Sequence, residues 1–200
     1  MANLFDPKIQ ESDLSSKSVV GLERISEVFR VLLWQKSNET SLSPIQIQLL
    51  IFIKNHDSSL ANVSQLAREF NMKKPTISDA VKVLFQKELI TKESGSDARA
   101  YTILLTEKGK SVVDSLKDFG EPVKDILDEL DPREKDALFQ SLAKVIFKLN
   151  QRGLIDVQRT CFGCRFYEKS SNGHYCQFIK KPLLENEIRL DCGDFQQIDS

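Results

Sequence analysis

Asn62-Val-Ser-Gln-Leu-Ala-Arg-Glu-Phe70, then Asn71-Met-Lys-Lys-Pro-Thr-Ile-Ser-Asp-Ala-Val-Lys-Val-Leu-Phe-Gln-Lys-Glu-Leu-Ile90, then a polar tip and Tyr101-Thr-Ile-Leu-Leu-Thr106: this stretch decides the fold. It predicts a short helix, a tight turn, a second helix and a two-stranded ribbon. Leu66, Ala67 and Phe70 fall on one face of the first helix, and Ile77, Ala80, Val81, Leu84 and Phe85 make a stripe on the second. Two such faces packed at a steep angle form a helix-turn-helix. The stripe leaves Thr76, Ser78, Asp79 and Lys82 outside, with Lys73 and Lys74 where the helix begins. Small hydroxyls and lysines suit a helix that enters a major groove. Pro75 fits the first helical position, where a missing N–H costs nothing. The free N–H groups of that end, with two lysines beside them, suit a phosphate.

The ribbon runs out through Leu89–Glu93 and returns through Ala100–Leu105, with Gly95 and Asp97 making the turn. Arg99 at its tip is placed to reach a phosphate or a narrow minor groove.

These residues resemble the MarR family of bacterial winged-helix regulators. Asp97-x-Arg99 followed by Leu105-Thr106-Glu107-Lys108-Gly109, the helix opening Leu42-Ser43-Pro44-x-Gln46, and Leu66-Ala67 leading to Thr76-Ile77-Ser78 carry the likeness, over roughly residues 14 to 150. Asp79 departs from a pattern that usually holds basic or amide residues there. The resemblance implies a homodimer on double-stranded DNA, its first and last helices interleaved, and a small-molecule effector of unknown identity.

The rest of the chain agrees. Ser12 or Ser15 is placed to cap a long helix carrying Val19, Val20, Leu22, Ile25, Val28, Phe29, Leu32 and Leu33, a run that Trp34 ends. That face fits either core or a partner. Ser43-Pro44 starts another helix, and Asn55–Ser59 ends it, leaving His56 in a solvated loop. Thr106–Gly109 opens a helix that Gly120-Glu121-Pro122 should kink or break, and Asp131-Pro132-Arg133-Glu134 starts the last one. Net charge is −1, but residues 61–110 hold nine Lys/Arg against six Asp/Glu, while residues 111–150 hold six against nine. Positive charge therefore gathers where phosphate contacts are needed.

Beyond Gln151-Arg152-Gly153 the chain changes character. All four cysteines, Cys161, Cys164, Cys176 and Cys192, lie in the last forty residues in the pattern C-x2-C-x11-C-x15-C. In a cytosolic chain such a group points to metal rather than to disulfides. A metal staple would also supply folding energy that so short a segment lacks. Structural zinc in an all-cysteine site is one reading. The other is preferred: Cys161-Phe162-Gly163-Cys164-Arg165-Phe166-Tyr167, Gly173-His174-Tyr175-Cys176 and Asp191-Cys192-Gly193-Asp194-Phe195 resemble the small high-potential iron–sulfur fold, in which four cysteines hold a 4Fe–4S cube beneath aromatic rings. His174 reads as a neighbour of the site or a surface residue rather than a ligand.

The start Met-Ala-Asn-Leu-Phe-Asp-Pro is no signal peptide, and Leu49–Ile53 is too short to span a membrane, so a cytoplasmic protein is expected. No Gly-rich phosphate loop, Ser/His/Asp set or paired-carboxylate cleft is legible, so no enzyme is expected. The fold class expected is mostly α with a small β wing, a winged helix-turn-helix over residues 1–150, followed by a small metal-stapled module over 151–200. The function expected is a transcriptional regulator, responsive to redox or metal. The alternative is a winged-helix protein-interaction module with a passive zinc site.

Overall fold

The computed structural model describes residues 5–94, 101–170 and 173–198. Eight helices are present among them: α1 (Pro7–Gln10), α2 (Leu14–Thr40), α3 (Pro44–Asn55), α4 (Val63–Glu69), α5 (Lys74–Gln86), α6 (Glu107–Leu116), α7 (Glu121–Asp128) and α8 (Pro132–Gln151). Strands β1 (Ile90–Ser94) and β2 (Tyr101–Leu105) form the ribbon, antiparallel with Ile90 opposite Leu105. A second antiparallel sheet, β3 (Tyr167–Ser170), β4 (Gly173–Cys176) and β5 (Lys181–Leu183), lies in the C-terminal segment.

The winged core is built on apolar burial. Ile47, Leu49, Leu50, Leu66, Ile77, Leu84, Ile103 and Leu116 are fully buried and bring α3, α4, α5, α6 and β2 onto one centre. Each such side chain contributes about 1.5–3 kcal/mol relative to leaving it in water. The Ile103 N–H donates to the Ala61 carbonyl at 2.7 Å, fastening the ribbon to the segment just before α4. Thr106 caps α6, its hydroxyl accepting from the Gly109 N–H at 3.0 Å. Gly109 has a packing reason of its own: a Cβ there would run into the Leu89 carbonyl, which sits against the helix.

Several local expectations need correction. Asp13, not Ser12 or Ser15, caps α2, because its carboxylate takes the N–H groups of both Ser15 and Ser16. The helix continues past Trp34 to Thr40, since nothing in between breaks it, and stops where Ser41 turns left-handed at φ 55°. Pro75 is the second residue of α5, not the first. Phe85 is not core: it is 48% exposed, with the Lys92 ammonium 5.2 Å from its ring centroid. The break at Gly120–Pro122 is present and separates α6 from α7. Asp131 and Glu134 form the expected capping box of α8.

α2 leaves Val19, Leu22, Ile25, Val28 and Phe29 exposed, and α7 and α8 leave Ile126, Leu127, Leu138, Val145 and Leu149 exposed. Among the described residues no helix is long and apolar enough to cross a membrane.

Candidate nucleic-acid interface and cysteine site

α5 sorts its residues as the sequence periodicity requires. Ile77, Ala80, Val81 and Leu84 are buried, whereas Lys73, Lys74, Thr76, Ser78, Asp79 and Lys82 are all exposed. The apolar side anchors the helix, and the polar side is free along its length. Lys73 stands at the N-cap, and no side chain caps the first turn, which leaves its N–H groups to whatever approaches. Other lysines nearby are committed to structure. Lys87 donates to the Ser41 carbonyl at 3.1 Å and Lys108 to the Lys87 carbonyl at 2.9 Å. Lys92 on β1, not singled out by sequence, projects between the rings of Phe85 and Tyr101, 5.2 and 4.6 Å from their centroids. It carries a positive charge from the ribbon toward the α5 side. Strand alternation around Thr91-Lys92-Glu93 was the available signal. Asp97 and Arg99 lie outside the described residues.

The C-terminal segment gathers the four cysteines. Cys161 sits in the turn Cys161–Gly163, Cys164 follows it, Cys176 ends β4, and Cys192 comes from the segment after β5. All four are free thiols lining one apolar pocket together with Phe166, Phe178, Ile179 and Leu183. Arg189 reaches two of them, its N–H donating to Cys161 Sγ at 3.3 Å and its guanidinium to Cys192 Sγ at 3.5 Å. Burial pushes the Cys161 thiol up, and the Arg189 N–H pulls it back. Among the described residues no three His, Cys, Asp or Glu side chains are gathered tightly enough to hold a single metal ion. Around one zinc, thiolates stand about 3.8 Å apart, as Zn–S bonds of about 2.3 Å in a tetrahedron require. The cysteines therefore share a pocket without forming that tight cage.

His174 is 6% exposed and bonds Tyr167 and Glu185, with its Nε2 2.9 Å from the Glu185 carboxylate, so it is a buried structural group beside the pocket. His56 is not in a solvated loop. Its side chain is 15% exposed and stacks on Phe52, and its Nε2 lies 2.7 Å from the Asp191 carboxylate. Sequence spacing could not place it there, because its partner lies 135 residues away. The same holds for Arg159, which makes a bidentate pair with Glu69 at 2.9 and 2.6 Å.

Residues 40–100 match the MarR family. No curated protein matches the chain. Among solved structures it resembles the MepR–DNA complex of Staphylococcus aureus, 22% identical with a TM-score of 0.57, over 64% of this chain and 94% of that one. It also resembles a MarR transcriptional regulator from Methanosarcina mazei, 22% identical with a TM-score of 0.55, over 68% and 98%. The fold is thus the winged helix-turn-helix seen in MarR regulators, and about a third of this chain has no counterpart in these two structures. MarR family transcription regulators are not enzymes.

Proposed function

We propose that the chain is a transcriptional regulator that binds duplex DNA as a homodimer, with a metal centre at its four cysteines. One observation carries the DNA-binding half. α5 is pinned by its apolar stripe while every described residue assigned to DNA from the sequence lies on its open side. Lys73, Lys74 and Lys82 would hold phosphates, Thr76, Ser78 and Asp79 would face base edges, and Arg99, between β1 and β2 in the sequence, would reach a phosphate or the minor groove, with Asp97 bonding its own loop backbone. The apolar side chains left exposed on α2, α7 and α8 support a two-fold partner, since residues of that size on three helices make an interface core. Two reading helices would then meet half-sites about 34–36 Å apart.

For the cysteines we propose a 4Fe–4S cluster rather than zinc. In a cube each thiolate binds its own iron, so the four sulfurs stand further apart than around one ion. A pocket that collects all four cysteines beside the rings of Phe166, Tyr167 and Phe178 supports that choice. The same chain has a cleft of about 750 Å³ between Gln65, Arg68, Phe147, Asn150 and Gln158, a size suited to a small-molecule effector.

Selection from a random duplex pool by the anaerobically purified protein tests the first half. Paired half-sites one helical turn apart are expected; no enrichment, with a protein captured instead, favours the interaction-module alternative. Metal analysis tests the second half: iron with visible sulfur-to-iron absorbance is expected, and a colourless zinc-loaded chain contradicts it.

A further inference from the structure

Two of the four cysteines hang from a pair of segments that also grip the helix-turn-helix. Arg159 lies two residues before Cys161, and Asp191 immediately precedes Cys192. The two segments run side by side, with the Cys192 N–H donating to the Arg159 carbonyl and the Cys161 N–H to the Arg189 carbonyl, each at 3.1 Å. Toward the pocket they present thiols; toward the winged core they present charge. The Arg159 side chain is 7% exposed, and its fork closes on Glu69, the last residue of α4, at 2.9 and 2.6 Å. It also stands over the Phe52 ring at 5.2 Å and 3.5 Å from the Asp191 carboxylate, which in turn meets His56 at the end of α3. Asn71, in the turn that leads to α5, donates from its side chain to the Leu154 carbonyl at 3.3 Å.

We propose that this Arg159–Glu69 pair couples the cysteine site to DNA binding: filling the site orders the two segments, which fixes α4 and, through the short turn after Glu69, the base of the reading helix. The inference rests on the cysteines forming a metal centre. Its physical basis is that a nearly buried guanidinium holds one geometry with its carboxylate, because separating them strands charge away from water. Segments 159–161 and 189–192 cannot shift without drawing α4 along or breaking the pair. An ordered α4–α5 unit loses less freedom when it meets a duplex, so the filled form binds more tightly. Arg159 and Glu69 are positioning residues that need touch neither the metal centre nor DNA.

The test compares the full chain, filled as purified anaerobically and emptied by chelation, by fluorescence anisotropy against a duplex it has selected. Filling should tighten wild-type binding by about tenfold, an ordinary size for coupling between sites. Arg159→Met should reduce that ratio below about twofold while iron content stays at the wild-type level. Glu69→Gln, which keeps the shape and removes the charge, should give a similarly flattened ratio and serves if Arg159→Met does not fold. An unchanged ratio in a folded variant, or equal or weaker binding by the filled wild type, overturns the coupling. Hydrogen exchange over residues 63–86 separates this from failure of DNA binding itself. If no duplex is selected, protection that rises on filling in wild type but not in Arg159→Met still supports the coupling, and protection that ignores the cysteine site in wild type refutes it. A chain that takes up no metal removes the premise and the coupling together.

Discussion

The winged core and the C-terminal module are held together by opposite means. The core buries a continuous set of apolar side chains, nearly all aliphatic, from Leu33 to Leu116. Among its described residues the module has three short strands, and those buried are few and mostly polar or sulfur-bearing: Arg159, Thr160, Cys164, His174 and Ile188. A segment with so little apolar interior cannot offset the cost of ordering its chain by burial alone. Its rings pack in a small group of their own, Phe162 on Tyr167 at 5.5 Å and Phe166 on Phe178 at 5.2 Å, and Phe147 on Phe162 at 5.6 Å attaches that group to α8. The core is thus a scaffold, and on the proposed metal-centre reading the module is a conditional structure, one that the bound centre would make or unmake.

The largest expected effect lies in the module. Cys164→Ser removes the most buried thiol, and metal-coupled folding in small cysteine sites runs to about 10 kcal/mol. Hydrogen exchange should show residues 159–198 losing protection while the core keeps its melting transition. Loss of both together would mean that the two regions are one cooperative unit. Leu50→Ala should do the reverse, costing about 2–5 kcal/mol in the core because Leu50 is fully buried. Denaturant unfolding followed at Trp34 measures it, and a cost under about 1 kcal/mol would refute the packing described. Gly109→Ala comes next, at about 1–3 kcal/mol, because the added methyl meets the Leu89 backbone rather than a movable side chain. A neutral melting temperature would show that α6 can slide away from the ribbon. Asp131→Ala, which removes the cap of α8, should cost only about 1 kcal/mol by the same measurement, and no loss would show that Pro132 alone starts the helix.

Most of the core was legible in the sequence because its signals are local. Ser43-Pro44, Thr106 through Gly109 and Asp131-Pro132 name their helix starts within four residues, and the stripe Ile77-Ala80-Val81-Leu84 names the buried side of α5. Phe85 escaped because apolar spacing cannot tell a core ring from one that holds a lysine in place. The cysteine pattern was legible as a group but not as a fold, since β3 to β5 are too short to carry a period. Arg159, Glu69, His56 and Asp191 were invisible as a set: nothing in a lone arginine says that its partner lies 90 residues back. Such long-range polar contacts leave no spacing to count.

The central claim is that the open face of α5 meets the phosphates of a duplex. The dependence of binding on salt concentration, measured for wild type and for Lys73→Ala/Lys74→Ala, tests it most directly. Removing one lysine from its phosphate should lower the slope of log affinity against log salt by about 0.9, so the double variant should bind more weakly with a slope shallower by about 2. Identical slopes and affinities would contradict the account, because lysines that touch no phosphate release no counterions.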